Sequence, residues 1–245
     1  MKKFFALMVS IAIICALGIT AMAAPVSVGY TTVFLGDLFV NVPESATTVA
    51  QAGFWAIDGG LQSLSVSNGK ITFTSAGWGS FGSFSDPTVG RGQDGWCYYL
   101  ENGGDDVAIL ASGFNGEDGK GFKLINEASY VLVDLQGNVD EKVGVWASNF
   151  SQGAIELPSG FKGWVYIPFD QYEINDESGS GAKFDNANQG VAAASFAISS
   201  ATNVTFGGEF YAYSGEMNST ADVSVLAYAA VALTGLGALV VAKKR

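Results

Sequence analysis

The clearest pattern in the chain is a two-residue alternation. Over residues 163–169, Val165, Ile167 and Phe169 fall on one side of an extended chain, and Trp164, Tyr166 and Pro168 fall on the other. A period of two in β-branched and aromatic residues predicts a strand of an antiparallel sheet. Pro158-Ser159-Gly160 predicts the turn before it, and Pro168 bounds it, because proline cannot donate to a ladder. Similar runs predict one or two strands within 30–42 and further strands at 61–66, 71–74, 96–100, 107–111, 130–135, 143–147, 194–199 and 209–213. Asn68-Gly69 separates two of these runs, and both residues tolerate positive φ, which predicts a tight hairpin. Residues 77–95 read as a glycine-rich loop carrying Trp78, 175–190 as a polar excursion, and only 44–52 has a helical look. Many short strands separated by Gly, Asp and Asn predict one all-β, antiparallel β-sandwich over 24–215.

Both ends depart from this pattern. Met1-Lys2-Lys3 is basic, 4–19 is almost wholly apolar, and Ala21-Met22-Ala23 offers small residues to a signal peptidase, so a signal peptide is expected over 1–23. Residues 223–242 carry no charge and run directly into Lys243-Lys244-Arg245. An apolar stretch of about 20 residues, rising about 1.5 Å each, crosses a hydrocarbon core of about 30 Å. A transmembrane helix is therefore expected at 223–242, a cytoplasmic basic tail at 243–245 and a polar tether at 216–222. The protein is expected to be exported and held at the extracellular face of a membrane or wall, with the membrane as a partner of its C-terminal helix.

Charge and chemistry narrow the function. Setting aside the terminal cations Lys2, Lys3, Lys243, Lys244 and Arg245, 7 of the 12 Lys and Arg remain against all 23 Asp and Glu, a net charge of −16. That balance argues against nucleic acid, which needs a cationic face. The chain has no histidine, which removes Ser-His-Asp and Cys-His nucleophilic machinery and His-ligated zinc. Gly77-Trp78-Gly79-Ser80-Phe81-Gly82 formally matches a dinucleotide fingerprint, but Asp86-Pro87 and Gly90 leave no helix to follow it. No two of the 23 carboxylates stand out as a glycosidase pair, and the chain is expected not to be an enzyme. Cys15 leaves with the signal peptide, so Cys97 is expected as a lone, buried thiol. Asp105-Asp106 and Asn115-Gly116-Glu117-Asp118 offer oxygen donors to a structural calcium, without the spacing of an EF-hand loop, and turn acidity explains them equally.

The aromatic residues are the better functional signal. If Val143, Val145 and Ala147 face the core alongside Val165 and Ile167, then Trp146, Trp164 and Tyr166 face outward. Flat rings of this kind stack on the apolar faces of sugars, so Trp146, Trp164 and Tyr166, with Trp78 on the glycine-rich loop, are the candidate ligand-binding residues for a polysaccharide or cell-wall glycan. On this reading Trp164→Ala loses the ligand and spares the fold. The alternative is that a loop or the N-terminal segment covers the same rings, which favours a structural or adhesive surface protein with protein partners.

Ile155 to Phe169, preceded by Tyr130-Val131-Leu132-Val133-Asp134-Leu135-Gln136-Gly137, resembles the jelly-roll modules of clostridial-type surface proteins, which are similar to carbohydrate-binding modules of the galactose-binding-like fold. The resemblance spans 28–214 and is specific only over 157–169. It implies a jelly roll and admits a glycan ligand and a structural calcium, but it transfers no binding residue. The tail resembles a Gram-positive sortase-type anchor, with Asn218, Thr220, Ala221 and Asp222 where a Pro-x-Thr-Gly-type motif is expected. Proline is missing there and Ala221 replaces the glycine, so the motif is degenerate.

Overall fold

The computed structural model describes residues 24–215 apart from Ser27, Leu38, Val40, Gly90, 116–118, 176–180 and 200–201. The expected signal peptide, tether with Asn218, Thr220, Ala221 and Asp222, membrane helix and basic tail lie outside these residues. No helix among the described residues is long and apolar enough to cross a membrane.

The strands, in chain order, are β1 (Thr31–Asp37), β2 (Trp55–Ser67), β3 (Lys70–Val89), β4 (Gly95–Asn102), β5 (Val107–Asn115), β6 (Gly121–Leu124) and β7 (Ser129–Asp134), then β8 (Val139–Val143), β9 (Val145–Ala147), β10 (Gln152–Leu157), β11 (Lys162–Pro168), β12 (Tyr172–Asn175), β13 (Val191–Ile198) and β14 (Thr202–Ser214). They pair antiparallel along the path β12-β6-β5-β13-β3-β14-β4-β11-β7-β8, with β1 beside β14, β2 beside β3, and β10 between β5 and β9. The hairpin at Asn68-Gly69 forms as expected. Both residues have positive φ, 52° and 72°, and Ser67 pairs with Lys70. Residues 44–52 are turns rather than helix.

The path folds over on itself. Five places separate β4 from β6, about 24 Å in a flat sheet at the usual strand spacing. Yet the Trp96 ring of β4 lies 5.5 Å from Phe122 of β6 and 5.4 Å from Tyr172 of β12. The fold line runs through β3, whose first residues pair with β14 and whose later ones pair with β13. Two layers therefore face each other, a β-sandwich as the alternation predicts. The inner faces meet in one core: Trp96, Tyr98 and Leu100 of β4, Val165 and Ile167 of β11, Ile109 and Ala111 of β5, and Phe196 and Ile198 of β13.

The expected loop at 77–95 is instead mostly strand. Glycines and serines look like loop residues in isolation, but here β13 pairs with Gly79 to Val89 and β2 pairs with Gly79, Ser80 and Gly82 from the other side, which engages the backbone in a ladder. Phe81 turns into the core against Phe73, with ring centroids 4.3 Å apart, and Trp78 and Ser80 take the outer face.

The outer face of β4-β11-β14-β7 holds a second apolar layer. Trp164 and Tyr166 do leave the main core, as the alternation requires, but they are not exposed: both are 0 % accessible. They pack with Cys97, Tyr99, Val131, Val133 and Tyr213 beneath Val26, Val28 and Tyr30 of the N-terminal segment. Tyr30 stacks on Tyr166 at 5.1 Å, and the Tyr166 hydroxyl donates to the Val26 carbonyl at 2.9 Å. Burying these rings removes apolar area that is costly to leave in water. Cys97 is fully buried in this layer, as expected of a small hydrophobe, and burial pushes its thiol well up.

Two predictions follow from this packing. Trp164→Ala should lower stability by about 3–5 kcal/mol, the range for emptying a buried aromatic site, and a urea titration followed by tryptophan fluorescence would read it as a lower midpoint. The second concerns alkali. Burial raises the phenols of Tyr98, Tyr172, Tyr166 and Tyr213. It pushes Tyr130 up to about 12 from an ordinary 10.0. Above pH 10 the folded chain thus holds more protons than the unfolded one, so stability falls as pH rises. Tyrosinate absorbance and loss of circular dichroism should appear together above pH 10; tyrosines titrating near 10 in a protein still folded would contradict the packing.

A groove on the outer face of the second layer

The layer β12-β6-β5-β13-β3 presents a different outer face. In β13, Ala194, Phe196 and Ile198 turn into the core, leaving Ala193, Ser195 and Ala197 outward. Register continues this floor of small side chains: Ser195 sits between Ser112 of β5 and Gly82 of β3, and Ala197 between Leu110 and Ser80. Larger side chains rise around it. Phe114 of β5 is 38 % exposed. Phe150 comes from a 3₁₀ turn, Ser148–Phe150, that closes on Ser151 at positive φ, 50°. Ala147 and Ala154 pack on Leu110, which folds the β9–β10 hairpin back over this face. The Phe150 ring then meets Trp78 edge-on, with centroids 4.9 Å apart. Small residues in the middle and aromatic ones at the sides leave a groove of about 340 Å³.

Its polar groups are neutral, save one cation. The Ser112 hydroxyl donates to Gln152 Oε1 at 3.1 Å. Asn175 lines the groove from the end of β12, and Lys123 lines it with its ammonium 3.7 Å from Glu173 Oε1. No carboxylate is among the described lining residues, in a chain with 23 Asp and Glu. Aromatic edges and faces can pack on the C–H surface of a sugar ring, while serine hydroxyls and side-chain amides can both donate to and accept from its hydroxyls.

The four expected ligand-binding aromatics do not come together. Trp78 is half-buried against Phe150, beside the groove. Trp146 is 49 % exposed, but it alternates with Ala147, which packs on Leu110, so its indole lies on the other side of β9. Trp164 and Tyr166 lie beneath the N-terminal segment on the opposite layer, so the expected platform of Trp146, Trp164 and Tyr166 does not form. Val143 and Val145 do not face the core either: both are exposed, at 60 % and 39 %. The chain changes partner at Gly144, from β7 to β10, and a Cβ there would lie 2.7 Å from the Ala154 carbonyl oxygen. Residues 143–147 are therefore two short edge pieces rather than one core strand. Of the groove residues, Ser80, Ser112, Phe114, Lys123, Phe150, Gln152, Asn175 and Ser195 were not singled out by sequence reasoning. One local signal was present: the uniformly small outward set Ala193, Ser195 and Ala197.

Of the oxygen donors that a calcium could use, Asp106 has a backbone partner. Asp106 Oδ1 accepts the Ser159 N–H at 2.8 Å. The fully buried Asn102 amide donates to the carbonyls of Asp105, Leu157 and Pro158 at 2.8, 2.9 and 3.2 Å, and its oxygen accepts the Gly104 N–H. This side chain thus ties the 105 and 157–158 backbones together. No group of three or more His, Cys, Asp and Glu able to hold a metal is found among the described residues. Residues 116–118 lie outside them.

No protein-family profile matches the sequence, and no curated protein matches it either. Among solved structures, the chain is similar to a family 11 carbohydrate-binding module of Clostridium thermocellum in complex with a β-1,3-1,4-mixed-linked tetrasaccharide, at 12% identity and a TM-score of 0.39, covering 79% of this chain and 100% of that one. The solution structure of CtCBM11 overlaps with a TM-score of 0.40 at 13% identity, over 80% of this chain and 100% of that one. The N-terminal modules of xylanase 10B from Clostridium thermocellum, complexed with xylohexaose, overlap with a TM-score of 0.35 at 8% identity, over 75% of this chain and 29% of that one.

The Asn102 arrangement yields a prediction. Asn102→Ala leaves the buried Leu157 carbonyl and the part-buried carbonyls of Asp105 and Pro158 without their donor and should cost about 1–3 kcal/mol, measured as a lower urea midpoint.

Proposed function

We propose that the protein is a non-catalytic glycan-binding domain of jelly-roll type that takes a polysaccharide chain into the groove walled by Phe114 and Phe150. The observation that carries this reading is the groove's composition: a floor of small residues between aromatic walls, lined by hydroxyl and amide groups and by no carboxylate among the described residues. Trp78 supports the wall by packing on Phe150. Export through 1–23 and retention at an outer surface by 223–242 belong to the same proposal and are supported by the sequence pattern alone.

A second reading, a structural or adhesive surface protein, is favoured by the burial of Trp164 and Tyr166 and by the exposed Val33 and Phe34 of β1, 45 % and 56 % accessible. Binding decides between the two. The purified protein should be retained in affinity gels containing one of mixed-linkage β-glucan, xylan, galactomannan or polygalacturonate. Phe150→Ala should weaken that retention about tenfold, equivalent to about 1.4 kcal/mol, with an unchanged circular dichroism spectrum. A folded protein that none of the four retains would instead support the adhesive reading.

A further inference from the structure

Ser80 stands on the groove floor, two residues after Trp78 on the same face of β3 and directly opposite Ala197 of β13. It is 2 % exposed, and among the described residues its hydroxyl has no hydrogen-bond partner. Leaving a buried hydroxyl unpaired is unfavourable, and native chains tolerate it rarely. Packing does not require serine here, because the facing floor position, Ala197, is alanine. The Ser112 hydroxyl on the same floor, by contrast, is already paired to Gln152.

We propose that Ser80 is a ligand-contacting residue, its hydroxyl the hydrogen-bonding anchor at the base of the groove for a hydroxyl of a sugar ring. The inference rests on the glycan-binding reading and adds to it the group that fixes the ring's position. Rotation about the Cα–Cβ bond moves Oγ between staggered positions without disturbing the strand, so the hydroxyl can turn to a ligand. A sugar hydroxyl both donates and accepts, as serine does, so either sense of the bond is satisfied.

The proposal implies opposite effects on binding and on stability. Ser80→Ala removes an unpaired buried hydroxyl, so its urea midpoint should equal or exceed that of the wild type. Its affinity for whichever of the four polysaccharides the wild type binds should fall about tenfold by calorimetry. Ser80→Thr, which keeps the hydroxyl, should retain more of the affinity than Ser80→Ala. Wild-type binding with Ser80→Ala unchanged would overturn this inference and leave the glycan reading standing. A destabilised Ser80→Ala would also overturn it, by revealing a structural partner for the hydroxyl. No binding by the folded wild type would overturn both.

Discussion

Two sheet layers facing each other leave a gap of about 10 Å that must be filled at near-crystalline density. This chain fills it with aromatic rings, and Trp96 is where both layers meet. Its indole contacts Tyr98 and Phe210 from its own side and Phe122 and Tyr172 from the other. Its N–H, which would be costly to bury alone, donates to the Tyr172 hydroxyl at 2.9 Å. Ring packing has narrow geometric preferences, so this contact fixes the relative position of β4 and β12, and with it the fold of the sheet along β3.

The two outer faces then have different fates. On β4-β11-β14 the outward residues are large rings, which the N-terminal segment covers and satisfies in part through the Tyr166 hydroxyl. On β5-β13-β3 the outward residues are small, so no cover is needed and a depression remains. The hairpin β9–β10 settles beside that depression because Ala147 and Ala154 are small enough to sit on Leu110. The groove is thus a consequence of side-chain size across adjacent strands, and the aromatic wall at Phe150 follows from where the hairpin lands.

Much of the fold was legible in local pattern. The alternation at 163–169 correctly separates Val165 and Ile167 from Trp164 and Tyr166, and Asn68-Gly69 correctly marks a two-residue hairpin. Of the candidate site, only Trp78 beside the groove and the small outward set Ala193, Ser195 and Ala197 were legible. Residues 77–82 looked like a loop because their composition is that of a loop, and only pairing with β13 on one side and β2 on the other makes them strand. Residues 143–147 looked like one core strand because their alternation is continuous, and only the change of partner at Gly144 divides it.

The sequence by itself therefore determined which side chains share a face, because a strand's pleat imposes that through neighbouring residues alone. It also determined the charge balance and the absence of histidine chemistry. What lies upon each face was decided only by the tertiary structure. The cover on Tyr166 comes from Val26, 140 residues earlier in the chain, and the groove joins Ser80 to Phe150 and Ser195 across three separate segments. Those contacts depend on long-range closure of the sheet, for which no local periodicity carries a signal.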